Sequence, residues 1–147
     1  MDIIRAKEND LKQVAVLFDQ YRQFYKQLSN VDGAYHFLAE RYRNQESILF
    51  VAKEDEQYLG FVQLYPTFSS VAMKDAFILN DLFVIQDSRQ KGIGKQLMEK
   101  AFSFANDKGA RFISLETATS NTKAQQLYEK MGMTIDSSTQ HYNYYWD

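Results

Sequence analysis

Between Asn80 and Lys95 the chain reads Asn-Asp-Leu-Phe-Val-Ile-Gln-Asp-Ser-Arg-Gln-Lys-Gly-Ile-Gly-Lys, an apolar strand joined to a turn punctuated by Gly92 and Gly94. The turn opens a long helix, and this arrangement lets backbone N–H groups and a helix dipole hold a pyrophosphate. Glycine allows the main chain to approach such an anion, and the amides from about Gln90 through Ile93 to Lys95 would point at it. Arg89, Lys91 and Lys95 add positive charge nearby, with a solvated surface as their plainer reading. Two other phosphate loops are excluded. A Walker A turn needs four residues between its glycines and then Lys-Ser/Thr, and the dinucleotide pattern needs a third glycine where Leu97 stands. A second pair worth weighing is Asn121 and Tyr128, seven residues apart, a spacing of about two turns that puts both on one face of a short helix. Asn121 could instead only cap that helix, and Tyr128 could be one core aromatic among ten tyrosines.

Much other chemistry is excluded by composition. With no cysteine among 147 residues, disulfides, thiolate catalysis and Cys-based metal sites fall together. His36 and His141 lie far apart, no clustered carboxylate spacing suggests a ligand set, and no metal is expected. A net charge of −2 and a pI near 5.7 speak against a nucleic-acid partner bound through bulk electrostatics. No basic n-region followed by an apolar run opens the chain, and no segment approaches the length of a membrane span, so a cytoplasmic protein without a membrane partner is expected.

The elements that must position these residues follow from periodicity. Ile3 and Ile4 suggest a first strand, and Asn9 is placed to cap a helix whose apolar residues run from Leu11 to Leu28. After a turn at Gly33, Tyr35, Leu38 and Tyr42 mark a second helix to about Gln45. Runs at 48–53 and 58–65 around Glu54-Asp55-Glu56-Gln57 read as an antiparallel hairpin, followed by a strand over about 74–85. The glycine turn opens a helix stopped by Lys108-Gly109, then come a strand over 112–117 and a short helix over 122–131 closed by Gly132. The aromatic tail from Met133 to Trp146 is expected to supply two more strands. Even composition, a single proline and no linker or repeat imply one domain over 1–147. The order implies an α/β fold, parallel only where a helix separates consecutive strands.

That order, with Arg89-x-x-Gly92-x-Gly94 and Asn121-x-x-Ala124-x-x-x-Tyr128-x-x-x-Gly132-Met133, resembles the GCN5-related N-acetyltransferase (GNAT) family across the whole chain, with Met133 where the family usually has Phe. Asn80-Asp81-Leu82-Phe83-Val84 is similar to the diamine acetyltransferase branch. The resemblance implies a mixed, mostly antiparallel sheet with helices on both faces. It also implies acetyl-CoA as co-substrate, Leu82, Phe83 and Val84 offering backbone to the pantetheine amides, Asn121 meeting the pantetheine or nearby backbone, and Tyr128 as general acid for the departing thiolate. The reaction needs a neutral amine, whereas an alkylamine of pKa ~10.4 is almost wholly protonated at pH 7. Relatives often place a glutamate where Asn80 stands, and asparagine cannot act as a base. Asp81 is the nearest alternative, although strand alternation sends it to the face opposite Asn80 unless a bulge re-aims it. Glu116 is a second candidate, acting through water.

The acceptor would enter between the N-terminal helices and the loop before the 74–85 strand, where Tyr25, Tyr35, Tyr65, Phe68, Ser69, Ser70, Asn80 and Asp81 could line a cleft suited to a small cationic amine. As core aromatics the tyrosines would carry no such meaning. A lysine or N-terminus of a protein is the competing acceptor, a non-catalytic acetyl-CoA-binding module is the competing class, and the aromatic tail allows a homodimer.

Overall fold

The structure, a computed structural model, describes residues 1–147, which divide into two compact units, Met1–Glu116 and Thr117–Asp147. In the first unit, strand β1 (Asp2–Arg5) leads through a 3₁₀ turn to helices α1 (Leu11–Phe24) and α2 (Val31–Arg43). Strands β2 (Ile48–Glu54), β3 (Gln57–Ser69) and β4 (Lys74–Val84) then form a meander, followed by helix α3 (Ile93–Asp107) and the two-residue strand β5 (Ile113–Ser114). The sheet order is β1-β2-β3-β4-β5, antiparallel except for the β4–β5 pair. The parallel pair is the one separated by a helix, as the connection length requires.

Both faces of the sheet are covered, which explains why Ile48 to Ala52 are buried without alternation. Leu49, Val51, Phe61 and Phe83 join Leu11, Val14, Phe18 and Leu38 of α1 and α2 in one core. Phe50 points the other way, as strand periodicity demands, and its ring meets Phe104 of α3 at 5.7 Å. Phe77 meets the same ring at 5.6 Å, while Leu97, Met98 and Ala101 fill the rest of that interface.

Several expected boundaries move. Asn9 lies inside the 3₁₀ turn, and Asp10 performs the local capping, its carboxylate accepting from the Lys7 N–H at 2.8 Å. Helix α1 stops at Phe24, well before Leu28, because Lys26 takes a left-handed conformation (φ 67°) and Asp19 collects the chain beyond it. That buried carboxylate accepts from Gln23 Nε2 (2.9 Å), Ser29 Oγ (2.7 Å) and the Asn30 N–H (2.6 Å). Gly33 is no turn. Helix α2 starts at Val31, with Asn30 Oδ1 accepting from the Gly33 N–H at 2.9 Å, and a Cβ at Gly33 would lie 2.5 Å from the Asn30 side chain.

The second unit contains helix α4 (Thr122–Lys130) and an extended tail. Asn121 caps the helix, its Oδ1 accepting from the Ala124 N–H at 3.4 Å. The two strands expected in the tail are absent: residues 133–147 pair with no strand, and Tyr142, Tyr144, Tyr145 and Trp146 are exposed. Aromatic strand propensity is realised only against a pairing partner, and the chain supplies none here. No helix is long and apolar enough to cross a membrane.

Candidate active site

Residue Asp81 owes its position to one extra residue in β4. Gln63 pairs with Asp81 and Leu64 with Leu79, so Asn80 is the unmatched residue of a β-bulge. The bulge resolves the conflict posed by strand alternation. Asp81 is buried with 3% exposure, while Asn80 stays exposed and its Nδ2 donates to Asp81 Oδ1 at 3.1 Å. Gln63 Nε2 donates to Asp81 Oδ2 at 2.6 Å and reaches the Tyr65 hydroxyl at 3.3 Å. Tyr21 also hydrogen-bonds Asp81, and its hydroxyl lies 3.3 Å from the Asn80 carbonyl.

The electrostatics of this cluster are set by burial. Removal from water pushes the Asp81 carboxyl up, with bonds from Gln63, Tyr21 and Asn80 opposing that rise. Tyr65 is pushed up to about 12, first by burial and then by the Asp81 charge, against a smaller opposing effect of Arg41. Tyr65 therefore keeps its proton at neutral pH. A carboxyl whose pKa is raised by burial, among hydroxyl and amide groups, holds a proton more readily than an exposed one.

The bulge also changes which backbone groups face outward. The Ile85 N–H donates to the Leu59 carbonyl, so by alternation Phe83 and Asp81 bond toward β3, and Leu82 and Val84 direct their N–H and C=O to the other edge. Strand β5 pairs with β4 only at Phe77 and Ile78. The edge of β4 beyond the bulge is thus without a strand partner, which suits an extended ligand bearing amides. Gly60 permits the close β3–β4 approach there, since a Cβ would sit 2.6 Å from the Phe83 carbonyl.

Past the end of β4, Gly92 takes a left-handed conformation (φ 80°) at the N-cap of α3, and no side chain caps this helix. A Cβ on Gly92 would meet nothing within 4 Å, so close packing does not explain the glycine. The first helical bond runs from the Gln96 N–H to the Gly92 carbonyl, leaving the preceding amides available to an anion. Gln90 is also left-handed (φ 65°). Lys91 and Lys95 are exposed, the latter 3.9 Å from Glu99. Arg89 turns back: its Nε donates to the Val84 carbonyl at 2.8 Å and its guanidinium lies 5.5 Å from the Phe83 ring centre. It locks the strand end to the loop. Open glycine, uncapped amides and an unpaired strand edge fit the pyrophosphate and pantetheine amides of a CoA ester.

The remaining expected residues are spread over several elements. The Tyr25 ring packs 5.0 Å from Tyr21, beside the cluster. Tyr35 lies on α2 against His36 and the apolar core, and Phe68 is exposed near the end of β3. Glu116 is exposed, two residues beyond β5. In the second unit Tyr128 is half-buried on α4, on the helix that Asn121 caps. Tyr21 and Gln63 were not expected. Gln63 had left a trace, as the one amide interrupting Phe61-Val62-Gln63-Leu64, whereas Tyr21 was hidden in the apolar stripe of α1.

Residues 14–133 match the acetyltransferase (GNAT) family, and the chain belongs to it. Over 97% of its length it is 46% identical to the uncharacterized N-acetyltransferase YhfO of Bacillus subtilis, covering 95% of that protein. A probable acetyltransferase of Haemophilus influenzae is 35% identical over 72% of this chain and 73% of its own. Among solved structures, a probable acetyltransferase at 35% identity matches with a TM-score of 0.95, covering 100% of this chain and 99% of that one. The protein is a GNAT-type acetyltransferase, with the mixed sheet and flanking helices of that fold.

Proposed function

We propose that this acetyltransferase moves the acetyl group of acetyl-CoA to the primary amine of a small, cationic acceptor, in the cytoplasm, by direct attack in a ternary complex. The observation that carries the reading is the buried Asp81 carboxylate, set in a bulge beside an unpaired strand edge and ringed by Tyr21, Gln63 and Tyr65. Acetyl-CoA supplies a thioester whose carbon–sulfur bond is exchanged for a carbon–nitrogen bond. Asp81 attracts the ammonium form of the acceptor and, with its pKa raised by burial, takes the proton that must leave before nitrogen attacks. Tyr128 gives its phenolic proton to the departing sulfur, and the second proton shed by the acylated nitrogen returns to the phenolate through solvent. The amides of Gly92 to Lys95 hold the pyrophosphate, and the Leu82 backbone holds the pantetheine arm. The resemblance of Asn80 to Val84 to the diamine acetyltransferase branch supports the small-amine reading, and the aromatic rings of Tyr21 and Tyr25 suit a cation.

The test begins with thermal melting. A ligand that binds only the folded protein at 100-fold its Kd adds about 2.7 kcal/mol, which for a chain of this size raises Tm by roughly 5–10 °C. CoA and acetyl-CoA should both do so, and Gly92→Val should abolish the shift. Thiol release is then followed with diamines, neutral-tailed monoamines and a peptide bearing a lysine and an amino terminus. Faster turnover of diamines than of the peptide is expected. A preference for the peptide would make this a protein acetyltransferase, and CoA binding with no amine-dependent release would make it a binding module.

A further inference from the structure

Ser47 Oγ and Gln63 Oε1 are buried polar atoms without a hydrogen-bond partner, and the second belongs to the side chain that holds Asp81. Gln63 is wholly buried in the middle of β3 and pairs with Asp81 across the ladder. Its amide is used at one end only. Nε2 donates to Asp81 Oδ2 at 2.6 Å and to the Tyr65 hydroxyl oxygen at 3.3 Å, while Oε1 bonds nothing.

Both oxygens of Asp81 face an amide N–H, Oδ1 that of Asn80 at 3.1 Å and Oδ2 that of Gln63. The arrangement suits a charged carboxylate, which only accepts. A proton placed on Oδ2 would point at a donor. Each end of a primary amide makes two bonds, however: its nitrogen gives two protons, and its oxygen accepts at two lone pairs. With Oε1 turned inward, Gln63 would accept from a protonated Asp81 and from the Tyr65 hydroxyl together. The torsion that exchanges the two ends is broad and two-fold, and no bond at Oε1 opposes the turn. The 2.6 Å spacing also suits an O–H···O bond, which spans about 2.5–3.0 Å, so the backbone can stay in place.

We infer that Gln63 is a positioning residue for Asp81, its amide turning N–H toward the charged carboxylate and C=O toward the protonated one in each catalytic cycle. The inference rests on the reading of Asp81 as the group that takes a proton from the acceptor's ammonium nitrogen. That proton leaves to water after acetyl transfer, and the amide turns back. Groups facing Asp81 are Tyr21 from α1, Gln63 and Tyr65 from β3, and Asn80 beside it, with the Arg41 charge of α2 felt at Tyr65. Arg41 is itself held by Glu40 at 3.1 Å and Glu46 at 2.8 Å, so the amide is the neutral element that can answer a change of charge.

Nuclear magnetic resonance of the full chain tests the turn directly. The Gln63 side-chain N–H signals are assigned by their absence in Gln63→Met, and their Overhauser contact with the Tyr65 ring protons is followed as pH falls. Ionisation of Asp81 is read in the same sample from its carboxyl carbon shift. The contact should be strong while Asp81 is charged, fade with the same midpoint as the carboxyl signal, and become independent of pH in Asp81→Asn. A contact that stays constant through the Asp81 titration would overturn the inference and direct the proton to Tyr21 instead. Kinetics give a second measure, with acetyl-CoA and one diamine. Gln63→Met removes the donor and keeps the burial, so the acid limb of kcat/KM should move to higher pH. A loss of roughly tenfold or more is expected on that limb, with recovery toward the native rate on the alkaline side. An equal loss at every pH would make Gln63 merely structural and overturn the inference. An Asp81→Asn profile that overlays the native one is a separate failure, of Asp81 as the base, and it would end the catalytic use of the turn even if the Overhauser contact follows the titration.

Discussion

Two buried aspartates with opposite shifts show how side-chain surroundings decide what a carboxylate does. At Asp19 burial acts to raise the pKa, but the Asn30 N–H, Ser29 and Gln23 outweigh it and hold the carboxyl below its ordinary value. Its contribution to stability is present above the unfolded pKa of about 3.9 and is lost as pH falls through the lower folded value. Asp19→Ala should therefore cost on the order of 2 kcal/mol at pH 7 by denaturant unfolding, because three donors lose a charged acceptor. At Asp81 burial wins and the shift is upward. That group stabilises the fold fully only below its unfolded pKa, and the contribution is lost as pH rises through the higher folded value. Asp81→Asn should then hold or raise Tm at pH 7 to 8, lose that advantage near pH 4, and lower kcat/KM with loss of the ionisation limiting its acid limb. Glu116→Gln, on an exposed carboxylate, should leave that limb in place. A profile for Asp81→Asn that overlays the native one would remove Asp81 from the chemistry. For Tyr128, replacement by Phe keeps the ring and isolates the hydroxyl. It should cost roughly 10²- to 10⁴-fold in kcat with little change in CoA affinity, and native turnover in that variant would make the tyrosine structural.

Strands and helices carry these groups to their places, and their legibility in the sequence varied with the origin of each signal. Helix α3, the β2–β3 hairpin and the glycine loop announce themselves through local pattern, which the structure keeps. The end of α1 does not, because its last turns are traded for three bonds to Asp19, a tertiary competition that periodicity cannot register. The bulge at Asn80 is a property of pairing between β3 and β4, visible in sequence only as two adjacent polar residues that both ask for a role. Tail strands fail for the same reason in reverse: propensity is present and the partner is missing. The close β3–β4 approach yields a prediction at this level. Gly60→Ala sets a Cβ against the Phe83 carbonyl, and the strands must part. A loss of roughly 1–3 kcal/mol is expected, together with weaker CoA binding as the edge at Leu82 moves, read by denaturant unfolding and by the CoA-induced change in Tm. Unchanged stability would show that the sheet absorbs a methyl group there without moving.

For the protein entire, the family assignment rests on agreement between a match over residues 14–133, whole-chain similarity to N-acetyltransferases and a shared fold. Under the proposed small-amine reading, a net charge of −2 supplies only a weak long-range field, which leaves recognition of a cationic acceptor chiefly to the local carboxylate and rings. On that proposal discrimination among amines falls to the Asp81 cluster, where a diamine would gain from the carboxylate what a neutral-tailed monoamine would not. The most direct trial is the rate of CoA thiol release from acetyl-CoA with one diamine and one monoamine of equal length, for the native protein and Asp81→Asn. Amine-dependent release by the native protein, faster with the diamine, is expected, with a drop in kcat/KM for both amines in the variant, larger for the diamine. Equal kcat/KM in the two proteins, or thiol release that no amine accelerates, would contradict the proposal.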